Sequence, residues 1–267
     1  MRTPKQTLSE MQQRVIDAQS IRPSQVNAKE LLRLEMLSSF EAYTKAMFKA
    51  QYKRNFIVAE HHKKIMKALQ DVVDGKCTRL IINIAPRYGK TELVIKSFIS
   101  WCFALNPKCR FLHLSYSDVL VADNSDTVRS IMMEELYKEL FPGSRLEKEK
   151  ASNKRWRTAA GGEMYAVSTQ GQVTGFGAGN VDEEEPIKGS DVADNLTFDE
   201  NMNEMLQQIG AKQNVFQGAI MIDDPIKPED ADSDIVRERI NLRFENTIRN
   251  RTNSRNTPII IIMQRLH

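Results

Sequence analysis

An α/β architecture, with a mostly parallel sheet flanked by helices, is expected from three features of the sequence. Short apolar runs alternate with stretches whose apolar residues recur every three to four positions, the rhythm of strands and amphipathic helices. The triplet Gly89-Lys90-Thr91 falls between one such run and the helical stretch that follows it. A later run, Ala219-Ile220-Met221-Ile222, ends in the acid pair Asp223-Asp224.

Taken in order, residues 7–50 read as helical, since Leu8, Met11, Val15 and Ile16 share one face and Ile21-Arg22-Pro23-Ser24 supplies a break. A second helix is expected from Asn27 towards Phe48, and a third from His61 to Val73, stopped by Asp74-Gly75. Arg79 to Ile84 reads as a buried strand, and Thr91 to Phe103 as the helix after the loop. "CRFLHLSY", Cys109 to Tyr116, is a second core strand, with a helix expected over Asp118 to Leu140 before Pro142-Gly143. "WRTAAGGEMYAV", Trp156 to Val167, reads as a β-hairpin about Gly161-Gly162, and "TGFGAGN", Thr174 to Asn180, as a glycine-rich loop. Residues 181–216 lack strand patterning until Val215 and read as an acidic insertion or lid. "GAIMIDDP" is a third buried strand, Ser233 to Arg249 a helix, and "TPIIIIMQRLH" a fourth strand.

Composition limits the classes of function without choosing one. The chain has 267 residues, 41% of them hydrophobic and 27% charged, ordinary proportions for a globular chain with one large core. Its longest purely aliphatic run, Ile259 to Ile262, is far short of the ~20 residues of a membrane span. The N-terminus lacks the apolar region of a secretion signal, so no membrane partner and a cytoplasmic setting are expected. Cys77, Cys102 and Cys109 stand at no metal-ligand spacing and read as reduced thiols. Charge is uneven: residues 1–80 carry fifteen Lys/Arg against eight Asp/Glu, whereas residues 181–216 carry nine acids against two lysines. A polyanion partner is permitted by this distribution, and so is plain solvated surface.

The motifs say more. A phosphate-binding loop usually reads G-x-x-x-x-G-K-[ST], yet the position of its opening glycine holds Ile84, and the loop runs Ala85-Pro86-Arg87-Tyr88-Gly89-Lys90-Thr91. Backbone N–H groups at a helix N-terminus, the Lys90 ammonium and the Thr91 hydroxyl are the parts that hold a triphosphate and its Mg²⁺. By itself Gly-Lys-Thr is a weak signal. The Asp223-Asp224 pair, about 130 residues later, supplies what a second nucleotide-binding motif provides: one carboxylate for Mg²⁺ and a neighbour to orient water. Together they point to nucleotide hydrolysis. Arg87, inside the loop, is suited to neutralise charge developing on the γ-phosphoryl group, from its own subunit or from a neighbour's. His61-His62 have no ligand partners at useful spacing, so contact with a base or ordinary packing is expected before metal binding.

These residues, in this order, resemble a known family. "HHKKIMKAL", "IAPRYGKTE", "FLHLSYSDVLVADNS", "ELFPG", "WRTAAGGEMYAV", "QVTGFGAG", "MIDDPIKPEDADS" and "PIIIIMQRLH" are similar to the N-terminal ATPase domain of the terminase large subunit, the DNA-packaging motor of tailed bacteriophages and prophages. The family's loop commonly lacks the opening glycine. The resemblance implies an additional-strand (ASCE) P-loop NTPase fold over 55–267, preceded by a helical extension over 1–54. It implies ATP and Mg²⁺ as cofactors, and double-stranded DNA, a portal protein on the procapsid and the terminase small subunit as partners. The active form would be a homo-oligomeric ring in the host cytoplasm, with a monomer in isolation allowed.

Carried over by position, Pro86, Arg87, Tyr88, Gly89, Lys90, Thr91 and Glu92 hold the nucleotide, with His62 near the base. Thr91 and Asp223 bind the metal; Asp224, Arg87 and Lys90 are catalytic; Gln264 and Arg265 couple hydrolysis to motion. Two departures stand out. Many members have Asp-Glu where this chain has Asp223-Asp224, which leaves a shorter reach to water and a possible role for Glu229. The acidic 181–216 stretch is extra, and it is expected to lie away from the DNA. Because the sequence stops at His267, an isolated motor domain without nuclease activity is expected. A helicase-like or remodelling ATPase is one alternative, and a catalytically inactive ATP-binding scaffold is another.

Overall fold

A computed structural model describes residues 27–147, 152–171, 173, 175–179 and 216–266. The helix expected over residues 7–20, nearly all of the acidic stretch and part of the basic run after Lys148 lie outside them. Six strands form one sheet: β1 (Arg79–Asn83), β2 (Arg110–Ser115), β3 (Arg155–Arg157), β4 (Glu163–Ser168), β5 (Ile220–Asp223) and β6 (Ile259–Met263). Their order is β1-β6-β5-β2-β4-β3, and every neighbouring pair is parallel except β3 with β4. β6 therefore separates the strand that precedes the Gly-Lys-Thr loop from the strand that ends in the acid pair. Ser115 pairs with both Ser168 and Asp223, Asp223 with Ile262, and Asn83 with Met263, so the parallel strands end together at one edge.

The helices are α1 (Ala28–Ser38), α2 (Phe40–Tyr52), α3 (Glu60–Val73), α4 (Phe98–Leu105), α5 (Asp118–Met133), α6 (Glu135–Leu140) and α7 (Asp234–Arg243). One core cluster joins α1 to α6 to one side of the sheet, with Phe40, Tyr43, Leu69, Phe98, Trp101, Phe111 and Trp156 almost wholly buried. Phe40 lies 5.0 Å from Trp101, ring to ring, and the Trp101 indole N–H donates to the Met36 carbonyl at 2.8 Å. The two N-terminal helices thus share the core of the sheet. A smaller cluster on the other face gathers Leu112, Leu114, Val173, Phe176, Ile220, Ile222 and Ile248. No helix among the described residues is long and apolar enough to cross a membrane.

Several boundaries differ from the sequence reading. The helix expected from Asn27 to Phe48 is two helices, because Ser39 adopts an extended conformation and caps α2, its hydroxyl accepting from the Ala42 N–H. Likewise the stretch from Asp118 to Leu140 breaks at Glu134, whose ψ of 142° is extended. After Thr91 the chain first makes a π-helical turn, Glu92–Ser97, and only then α4. The helix from Ser233 ends at Arg243 and runs on through a second π-helical turn, Phe244–Ile248. β1 is an edge strand and not fully buried: Ile82 faces the core, while Ile81 is 64% exposed. The hairpin, the two interior strands β2 and β5, and β6 form where expected.

Candidate functional site

The loop after β1 and the turns after β5 and β6 meet at the carboxyl edge of the sheet, where open α/β folds place ligands. Pro86, Arg87, Gly89, Lys90, Thr91, Glu92, Lys96, Asp224 and Gln264 line a cavity of about 300 Å³ there. Gly89 has a φ of 74°, and a Cβ at this position would sit 3.2 Å from His62 Nε2, so both conformation and space call for glycine. His62 Nδ1 accepts from the Ala59 N–H at 3.1 Å, which leaves Nε2–H to donate to the Tyr88 carbonyl at 3.1 Å. His62, placed near a base by the sequence reading, here ties the first turn of α3 to the backbone of the loop. The Tyr88 ring is exposed and stands edge-on to His61 at 5.4 Å. Arg87 is exposed and has a φ of 66°.

Lys90 and Asp224 form an ion pair in which the ammonium reaches both carboxylate oxygens. Thr91 Oγ1 donates to Asp223 Oδ2 at 2.8 Å. Two motifs 132 and 134 residues apart in sequence are therefore in direct contact, each through the residues singled out for it. The Asp224 backbone is held on both sides, its N–H donating to the Ile262 carbonyl and its carbonyl accepting from the Tyr116 N–H. Its φ is 44°, in the left-handed region. Asp224 Oδ1 also accepts from the Gln264 N–H at 3.3 Å, so the residue after β6 touches the same carboxylate as Lys90. Arg265 is exposed.

Asp223 is 5% exposed, and burial pushes its pKa up to about 6, with the Asp224 charge adding to the rise and the Thr91 hydroxyl and Lys90 opposing it. Its Oδ1 has no hydrogen-bond partner, although the Asn124 amide lies close enough to favour the charged form. A buried carboxylate oxygen without a donor, beside a threonine hydroxyl, fits a hard divalent cation that takes oxygen ligands. Among the described residues no group of three His, Cys, Asp or Glu could hold a metal unaided. Such a donor set suits Mg²⁺, which usually takes one or two carboxylates and completes its shell with substrate phosphates and water.

Three contacts were missed in the sequence. Tyr52 Oη donates to Glu92 Oε2 at 3.3 Å, and Lys96 pairs with that oxygen at 3.1 Å, linking α2 to the wall of the cavity. Asn124 and His113 form a buried pair behind Asp223. Glu163, 3% exposed, receives Arg110, Arg155 and Arg157 at 3.3, 2.7 and 3.2 Å, away from the cavity. Polar residues at core-facing positions, Asn124 in α5 and His113 in β2, were the available signal. Glu229 is exposed, in a short turn after β5.

No protein-family model and no curated protein matches the chain. Among solved structures the chain is similar to the HK97 bacteriophage large terminase, with a TM-score of 0.46 and 14% identity. The match covers 84% of this chain and 37% of that one. The chain thus spans little more than a third of that protein.

Proposed function

We propose that the chain is a P-loop nucleoside triphosphatase that uses ATP and Mg²⁺, and that it serves as the motor domain of a terminase-like DNA-packaging machine. The observation that carries the hydrolase reading is the contact of the two motifs, Thr91 to Asp223 and Lys90 to Asp224, at the carboxyl edge of the sheet. The order of strands supports an additional-strand P-loop class, since β6 lies between the loop strand and the acid strand. The motor reading rests on the family resemblance of the motifs, and double-stranded DNA, a procapsid portal and a small subunit as partners rest on it too.

On this reading Lys90 leaves Asp224 for the β- and γ-phosphates, and the loop N–H groups cradle them. Bound Mg²⁺ would neutralise phosphate charge, held by Thr91 and Asp223. Asp224, freed of its counter-ion, orients the attacking water, and Arg87 offsets charge on the transferring group. Gln264 donates its N–H to Asp224 and so senses whether that carboxylate has moved.

Phosphate release from ATP, with and without double-stranded DNA, tests the proposal. Lys90→Ala is expected to lower turnover by roughly 100-fold or more, the scale of removing a main electrostatic stabiliser. DNA should raise wild-type turnover. ATP binding without turnover, with portal and DNA both present, would favour the inactive scaffold.

A further inference from the structure

The inner face of α5 carries two polar residues, Asn124 and Ser125, between Val121 and Val128. Ser125 is accounted for by packing, since its hydroxyl accepts the Trp156 indole N–H at 2.9 Å. Asn124 is not. Its amide nitrogen lies 3.3 Å from Nε2 of His113, a wholly buried residue of β2. His113 Nδ1 lies 3.3 Å from the Met221 carbonyl, two residues before Asp223. With Nδ1–H donating to that carbonyl, Nε2 is left as an acceptor for one hydrogen of the Asn124 amide. The same amide has a second hydrogen, and Asn124 favours the charged form of Asp223.

Asp223 needs such a neighbour. Its Oδ2 takes the Thr91 hydroxyl, but that hydroxyl is also the group expected to turn towards a cation, and Oδ1 has no partner at all. When Thr91 turns away, nothing else named so far fixes the rotation of the carboxylate.

We propose that Asn124 and His113 are positioning residues for Asp223: His113, anchored on Met221, holds the Asn124 amide, and the amide holds the carboxylate towards the cation that accompanies the nucleotide. The inference rests on Asp223 being the cation carboxylate. Partners that orient a metal ligand typically change metal affinity by roughly 10- to 100-fold when removed.

Mn²⁺ binding followed by electron paramagnetic resonance, with ADP present, reads this without any hydrolysis. Asn124→Leu should weaken Mn²⁺ by roughly 10-fold or more. Affinity for a fluorescent ADP analogue in a chelator should stay within about 2-fold, because the loop N–H groups and Lys90 are untouched. His113→Phe, which frees the amide to rotate, should act in the same direction by a smaller factor. Thermal unfolding without metal confirms that each variant folds, and Asn124→Ala takes over if Asn124→Leu does not. Unchanged Mn²⁺ affinity in the folded variants overturns the inference and leaves the function standing. A wild-type protein that shows no ADP-dependent Mn²⁺ binding overturns the assignment of Asp223, and the inference with it.

Discussion

Two non-glycine residues of the site, Arg87 and Asp224, hold left-handed backbone conformations, which cost roughly 1 kcal/mol or more each and recur at functional positions. For Arg87 the consequence is measurable. Arg87→Gly removes the guanidinium and the strain together, whereas Arg87→Ala removes only the guanidinium, so the glycine variant should melt no lower than the alanine variant while both lose turnover. Asp223 carries a different cost. Its raised pKa means that the folded protein binds this proton more tightly than the unfolded chain does, so ionisation takes stability away as pH rises from about 4 to about 6. Asp223→Asn should therefore stabilise the nucleotide-free protein at pH 7 by about 2 kcal/mol in denaturant titrations, with the gain gone below pH 4. The same change should abolish metal-dependent nucleotide binding. Most of these residues were legible in the sequence, because Gly-Lys-Thr and an acid pair are chemical patterns whose spacing is short. Asn124 and His113 were not, because their meaning depends on α5 crossing behind β5.

Among the elements, the core strands were the easiest to read and the helix ends the hardest. β2 and β5 are apolar throughout because both faces are covered, and such runs announce themselves. Ser39 and Glu134 were hidden inside continuous helical periodicity, which a break of one residue does not disturb. The exposure of Ile81 was hidden too, since an apolar run does not say whether its strand ends up at an edge. Ser39→Ala removes the cap of α2 and should cost about 1 kcal/mol, read as a lower denaturant midpoint with an unchanged slope. The π-helical turn Glu92–Ser97 directly follows the phosphate loop, a place where such turns are over-represented because they serve sites. It also puts Glu92 and Lys96 in the cavity wall, where Tyr52 meets them.

For the whole molecule, the relation of the N-terminal helices to the sheet decides what can be separated. Phe40, Tyr43 and Met47 are buried in the same cluster as Phe98 and Trp101. Cutting the chain before residue 55 would expose that cluster, and the shortened protein should be recovered aggregated or as a form that binds a hydrophobic dye. Trp101→Ala tests the joint from within, and a loss of roughly 3–5 kcal/mol is expected from the void and the unpaired Met36 carbonyl. This joint was only half visible beforehand, since helices α1 and α2 were legible but their seat on α4 was not.

The ion pair of Lys90 with Asp224 has a consequence for how an assembly of such subunits would keep time. In the free protein each of the two groups is already the other's counter-charge, so a triphosphate must compete with an internal carboxylate for the ammonium. Binding and arming are then one event. A vacant subunit is chemically silent, an occupied one has its acid released, and the main chain at Gln264 is in contact with the side chain that differs between them. Occupancy is thereby encoded as the position of a single charge, a binary signal that the backbone after β6 can pass on before any bond of the nucleotide is broken.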